Sequence, residues 1–318
     1  MRSLIRALAA GAMLLGSAAT QAQTYPSKPI RVILPFAGGT DAVARLLALK
    51  LSPALGQPVL PEQRLGAGGN IAHRAVAAAA PDGYTLLMAA PPFVINPHLN
   101  PLAGFDPLRD FAPIAYLTAI ANVIVVQSKL PAKNLSELIE LARARPGKLS
   151  YGSGGIGSTN HLAAELLKSM AKIDLLHVPY KSATLALTGL LAGEVDIVIV
   201  AASSVTGYVK EGRLRVLAVL DAKRSSAMPE VPTSGEARMP IVAVNWYVLL
   251  APAGTPREIV ERLNAEARRA THSADLRERL EAIGGEPVSA SPEDTAAFLR
   301  KEYEQWGKVI REAGIKAE

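Results

Sequence analysis

The chain contains no cysteine in its 318 residues. That excludes disulfide bridges, thiolate metal sites and lipid attachment at cysteine. Its five histidines, His73, His98, His161, His177 and His272, form no H-x-x-x-H pair, so metal-ligand spacing is also missing. No lysine follows a glycine-rich turn in the manner of a phosphate-binding loop. No two carboxylates are placed by spacing as an acid and a base. Ser153, in Y-G-S-G-G, misses the G-x-S-x-G pattern by one position. These absences predict no catalytic residue, no bound metal and no cofactor.

What is present begins with a leader-like segment. Arg2 and Arg6 flank the start of an apolar stretch, Ala7 to Ala19, that ends in the small residues around Ala22. The stretch is too short and too rich in alanine and glycine to span a bilayer. Residues 1–22 are therefore expected to be a cleaved signal peptide, with a product that is soluble in a bacterial periplasm. No second apolar run of membrane-spanning length follows. The formal charge of +6 includes the two leader arginines, and acidic and basic residues alternate along the C-terminal helices. That alternation reads as a solvated helix face and gives no nucleic-acid footprint.

A hydrophobic content of 49% supports a substantial core. Short β-rich runs alternate with amphipathic stretches, which predicts an α/β fold with mainly parallel sheets. The expected strands are Ile30–Pro35, Thr85–Ala89, Asn122–Gln127, Leu149–Gly152, Leu175–Pro179, Val195–Val200, Arg215–Leu220 and Trp246–Ala251. A further short run is expected at Pro58–Leu60. Asn134 with Glu137 forms a capping box, Thr255 is expected to cap a helix that starts at Pro256, and Ser291-Pro292 opens the last helix. The strands fall into two groups joined twice. This predicts two lobes with a cleft between them, residues 23–122 with 225–318 forming one lobe and 123–224 the other.

Glycine- and hydroxyl-rich turns stand at several strand-to-helix junctions. The clearest is YGSGGIGSTNHLAAEL, Tyr151 to Leu166, and a second links RVILPF through Gly38, Gly39 and Thr40 to a helix. Others are HVPYKSAT and VDIVIVAASS, which ends at Ser203 and Ser204. Such turns gather backbone N–H groups at helix N-termini, where the macrodipole favours an anion. Gly152, Gly154 and Gly157 also match G-x-G-x-x-G. However, Asp174 precedes its strand rather than ending it, which argues against a dinucleotide site. Asp41 and Arg45 are spaced to pair on a helix surface. The turn Gly66 to Asn70 reads as a chain reversal, Trp246 and Tyr247 as core residues, and Leu185 as a buried helix residue.

These blocks together resemble the substrate-binding receptors of tripartite tricarboxylate transporters, the Bug-type periplasmic receptors. The matching segments are SKPIRVILPFAGG, VLPEQRLGAGGNIAHRAVAAAAPDGYTLLMA, DFAPIAYL, LSYGSGGIGSTNHLAAEL, HVPYKSATLALTGLLAGEVD, LRVLAV, MPEVPTSGEA and WYVLLAPAGTP. The resemblance implies a type II periplasmic-binding-protein fold: two α/β lobes, two crossover strands and a cleft that closes on a small organic carboxylate. It places Phe36, Gly38, Gly39 and Thr40 at the ligand from one lobe, and Ser153, Gly154, Gly157, Ser158, Thr159 and Ser203 from the other. Implied partners are inner-membrane subunits of a tripartite transporter or, alternatively, a sensor protein; a monomer is expected. The family's first loop usually reads PFAPGGSTD, and PFAGGTD here is two residues shorter. The usual VPYKGGAPALTDLL is VPYKSATLALTGLL, which puts Ser182, Ala183 and Leu185 in place of two glycines and a proline.

Overall fold

The computed structural model describes residues 25–316; the expected leader lies outside them. In chain order the elements are β1 (Ile30–Leu34), α1 (Gly39–Leu55), β2 (Val59–Gln63), α2 (Asn70–Ala77), β3 (Thr85–Ala89), α3 (Pro92–Leu99) and β4 (Phe111–Gln127). Then come α4 (Leu135–Ala144), β5 (Ser150–Ser153), α5 (Thr159–Ala171), β6 (Leu176–Pro179), α6 (Ala183–Ala192), β7 (Ile197–Ala201), α7 (Thr206–Lys210) and β8 (Leu214–Val219). The chain closes with β9 (Val244–Pro252), α8 (Arg257–His272), α9 (Ala274–Ala282), β10 (Gly285–Pro287) and α10 (Pro292–Glu312).

One strand organises the rest. β4 is 17 residues long, and its pairing changes at Ala121 and Asn122. Residues up to Ala121 pair antiparallel with β9 and β10, while those from Asn122 pair antiparallel with β7 and β8. Parallel strands extend each half: β2–β1–β3 beyond β9, and β5 and β6 beyond β7. The sheet is thus mixed rather than mainly parallel, because the strands that cross between the halves run antiparallel to their neighbours. Sequence alternation revealed only the end of β4. Irregular register at Pro113 to Ala115 and at Tyr116 to Thr118 breaks the two-residue period in its first half.

Three apolar clusters hold the layers. α1, α8 and α9 cover β1, β3 and β9 through Val43, Leu47, Leu51 and Leu263. α6 covers β7 and the end of β4 through Leu187 and Leu190. A third cluster, with Phe93, Tyr151, Leu162, Trp246 and Trp306, joins both halves. Fully burying each such side chain contributes roughly 1.5–3 kcal/mol. α10 completes the joint by packing on α3, β4 and α5.

Local signals mostly place the helix starts. Asn134 accepts from Glu137 N at 2.9 Å, while the Glu137 carboxylate accepts from Lys133 N at 2.7 Å. Ser291 accepts from Asp294 N at 3.0 Å. Thr255 is different: its hydroxyl donates to the Pro252 carbonyl at 2.8 Å, and α8 begins after Pro256 without a side-chain cap. The hydroxyl closes the preceding turn and is not available to the helix. Asp41 and Arg45 pair as their spacing predicts, at 2.7 Å.

Candidate functional site

A cavity of about 290 Å³ lies at the C-terminal ends of β3, β5, β6 and β7, where the crossing strand β9 passes. Open α/β sheets commonly bind ligands at such ends. Its lining comprises Ala90, Pro91 and Pro92 after β3; Gly154, Ser158, Thr159 and Asn160 after β5; Ala183 and Thr184 after β6; and Val200, Ala201 and Ser204 around the end of β7. Asn245 and Tyr247 come from β9. No lining residue carries a charged side chain.

Two helices begin at this cavity. Ser158 caps α5 by accepting from His161 N at 3.3 Å, and Ser182 caps α6 by accepting from Leu185 N at 3.2 Å. Each cap satisfies one donor of the first turn. The N–H groups of Thr159, Asn160, Ala183 and Thr184 have no protein acceptor among the described residues, and all four residues line the cavity. The helix termini therefore offer unpaired donors and partial positive charge to an anion.

The turn between β5 and α5 is braced from behind. The Gly157 N–H donates to His161 Nδ1 at 3.2 Å, and the Ser158 hydroxyl donates to the Gly155 carbonyl at 2.7 Å. Ser153 Oγ lies 2.7 Å from His177 Nε2 and also accepts from Gly155 N at 3.1 Å. The His161 and His177 rings stack with centroids 4.3 Å apart, and Tyr151 stacks on His177 at 4.7 Å. Burial, with His177 beside it, pushes the His161 pKa down to about 4. The ring is neutral at physiological pH, so Nδ1 is free to accept. Ser153 is fully buried, so the Ser153–His177 pair supports the turn and presents no nucleophile to the cavity.

The β9 residues divide by face. Trp246 is buried in the core, where its indole donates to Glu302 at 2.8 Å. Asn245 and Tyr247, two apart, face the cavity together. Burial pushes the Tyr247 pKa up to about 12, so its phenol stays protonated. Sequence reading put both aromatics in the core, and both are buried there; strand alternation puts them on opposite faces, and Tyr247, packed with the β1, β3 and β9 cluster, also lines the cavity.

The structure brings Gly154, Ser158 and Thr159 to the cavity wall, and the other expected contacts do not line it. Ser153 faces the histidines behind the turn. Gly157, at φ +77°, packs under Leu99 of α3. Ser203 lies against Gly284, and its neighbour Ser204 lines the cavity in its stead. Phe36 packs on Gly69, Gly38 turns the chain at φ 74°, and Thr40 is buried at the start of α1. Gly39 abuts the hydroxyl of Tyr247, which itself lines the cavity. Leu185 is 47% exposed rather than buried, because the capped first turn of α6 turns that side chain outward. Asn160, Thr184 and Asn245 were not singled out, and Tyr247 was read only as a core residue. Ser182 three residues before Leu185 was the legible sign that α6 begins at the cleft.

The family pattern described as "Tripartite tricarboxylate transporter family receptor" matches residues 43–315. The chain belongs to this family. Protein BugT of Bordetella pertussis is 37% identical over 305 residues, covering 94% of each chain. An R. palustris protein solved with adipate is 35% identical, with a TM-score of 0.79 over 92% of this chain and 99% of its own. MatC from Rhodopseudomonas palustris, solved with bound malate, is 33% identical, with a TM-score of 0.75 over 90% of this chain and 100% of its own. The family fold is the two-lobed α/β fold of periplasmic binding proteins, and its role is that of a solute receptor. Among the described residues no helix is long and apolar enough to cross a membrane.

Proposed function

We propose that this receptor captures a small organic carboxylate in the cavity between β3, β5, β6, β7 and β9 and hands it to a tripartite-type membrane transporter. The observation that carries the reading is the pair of helix starts. α5 and α6 direct four unpaired N–H groups into a cavity without charged side chains. A carboxylate fits such a site because amide donors and helix dipoles bind it without the desolvation of a buried cation. In this reading Gly154, Ser158 and Thr159 contact the ligand directly. The first loop, Phe36 to Thr40, acts through Tyr247.

The two moving bodies are residues 23–122 with 225–318 and residues 123–224, and closure brings the β3 end against the β5 and β6 turns. Binding energy differs between open and closed forms, and that difference is what a membrane partner reads. Residues 1–22 act as the export leader, so the receptor works in the periplasm. The adipate and malate bound by relatives support the carboxylate class.

A thermal-shift screen of amino acids, dicarboxylates, tricarboxylates and aromatic acids tests this. A ligand at 100 times its Kd should add about 2.7 kcal/mol of stability. A saturable shift confined to carboxylates, lost in Thr159→Pro, is the expected result. Shifts with neutral or cationic solutes, or none with any carboxylate, would overturn the reading.

A further inference from the structure

The proposed ligand site contains an amide whose orientation is dictated from outside the site. Asn122 is fully buried at the point where β4 changes partners, and its Nδ2 donates to the Ala243 carbonyl at 2.8 Å. A carbonyl can only accept, so this bond decides which end of the Asn122 amide carries nitrogen. Asn122 Oδ1 is thereby turned toward Asn245 and accepts from Asn245 Nδ2 at 3.0 Å. Orientation passes one step further. One Nδ2 hydrogen of Asn245 is held by Asn122, which fixes the amide's orientation, and its carbonyl oxygen has no protein partner, on a side chain that lines the cavity.

We infer that Asn245 is a specificity residue that selects carboxylates bearing a hydrogen-bond donor, a hydroxyl or an ammonium group. The inference rests on the carboxylate reading above and deepens it. The helix starts of α5 and α6 take the acid group, whereas Asn245 Oδ1 faces the ligand as an acceptor. A ligand that supplies a donor there pairs that oxygen. One that lacks it leaves a desolvated acceptor unpaired, and one with a second acceptor sets two oxygens against each other. Asn245 is half-buried, so the expected discrimination is about tenfold in Kd, below that of a fully enclosed polar site.

The relay also sits where a receptor would couple selection to closure. The Asn122 carbonyl accepts from Leu220 N at 2.8 Å, and Ala243 N donates to the Leu220 carbonyl at 2.9 Å. The same three backbone positions thus join the outgoing strand, the returning segment and the amide that reads the ligand.

Calorimetric titration of the purified protein with matched acids tests this: propionate, lactate, alanine and pyruvate in one series, and succinate, malate, aspartate and oxaloacetate in the other. The expected result is that, in the series that binds, lactate or alanine (malate or aspartate) exceeds its donor-free parent about tenfold. The keto acid should be weakest. Asn245→Leu should reduce the donor-to-parent ratio to near one. Equal affinity across a binding series would overturn the inference and leave the carboxylate reading standing. A keto acid that binds more tightly than its hydroxy partner would also overturn it, by assigning Nδ2 to the ligand. Discrimination that persists in a folded Asn245→Leu protein would remove Asn245 from the role. If neither these acids nor any other carboxylate binds, the underlying reading fails and takes the inference with it. The wild-type ratios decide the matter even if the variant does not fold.

Discussion

The hydroxyl of Tyr247 occupies the space that a Cβ on Gly39 would need. Tyr247 belongs to β9 and lines the cavity; Gly39 is the first residue of α1. The first loop therefore meets the cavity through an aromatic side chain. Gly39 is not among the positive-φ glycines, so the requirement for glycine there is one of space. Its neighbour Gly38, at φ 74°, is needed for conformation.

Gly39→Ala should push Tyr247 from its place, destabilise the protein by roughly 1–3 kcal/mol and weaken ligand binding. Removing the hydroxyl should relieve most of this, because the next ring atom lies 3.1 Å from the added Cβ position. Denaturant unfolding of Gly39→Ala, Tyr247→Phe and the double variant measures the coupling. Strict additivity of the two single effects would show that the contact carries no energy.

Ser158→Ala and Ser182→Ala each remove a helix cap at the cavity. Each should lower stability by about 1 kcal/mol, seen as a reduced urea midpoint with unchanged slope. Affinity for a carboxylate should fall as well, since a frayed first turn no longer aims its N–H groups. A variant that loses stability but binds as before would leave that cap a purely structural role.

Acid should weaken the fold through His161. Its folded pKa, near 4, lies below the 6.5 of an unperturbed histidine. Above pH 6.5 both folded and unfolded chains hold the ring neutral. As the pH falls from 6.5 toward 4 the unfolded chain takes up the proton first, so stability drops across that window and then levels. Protonation of Nδ1 would also break its bond from Gly157 N. Urea unfolding at pH 7.5, 6 and 5 should show the decline. His161→Phe should be less stable at neutral pH and show a shallower slope; an unaltered slope would place the acid sensitivity elsewhere. His73, pushed down to about 3 by burial, contributes with the same sign.

Glu302 contributes with the opposite sign. Its carboxylate oxygen accepts from Trp246 Nε1 at 2.8 Å and Trp306 Nε1 at 3.1 Å inside the core. Burial raises its pKa despite those bonds. The fold therefore holds this proton more tightly than the unfolded chain. Its stabilising share is full below the ordinary carboxylate range and is lost as pH rises through the folded value. Glu302→Gln retains an oxygen for both indoles without the charge, and should gain about 1 kcal/mol at pH 8 with less gain at pH 5. Glu302→Leu strands two buried donors and should cost about 2–4 kcal/mol. Thermal unfolding at the two pH values separates these outcomes.

Much of the architecture was legible because it is local. The caps at Asn134 and Ser291 act within one helical turn, and the pairing of Asp41 with Arg45 follows from helical spacing. The glycine-serine turn after β5 announced a helix start, and that start carries the carboxylate reading. The first half of β4 was hidden because irregular register blurs its alternation. Leu185 was misread because helix periodicity alone does not say which face meets the core. Thr255 was misread because a hydroxyl has two possible local partners, and the turn took it.

The sequence by itself determined the α/β class, the two-lobe plan, the family and the N-terminal turns that face the cleft. All of these depend on short-range pattern or on blocks of matching residues. Only the tertiary structure decided which turn residues reach the cavity, that the cavity-lining Tyr247 packs against Gly39, and that Ala243 through Asn122 orients Asn245. Those relationships join residues that are roughly 120 to more than 200 positions apart, or next-but-one on a strand whose faces are set by its neighbours. Chain spacing carries no record of such distances. Packing creates them when the crossing strands bring both halves of the chain together.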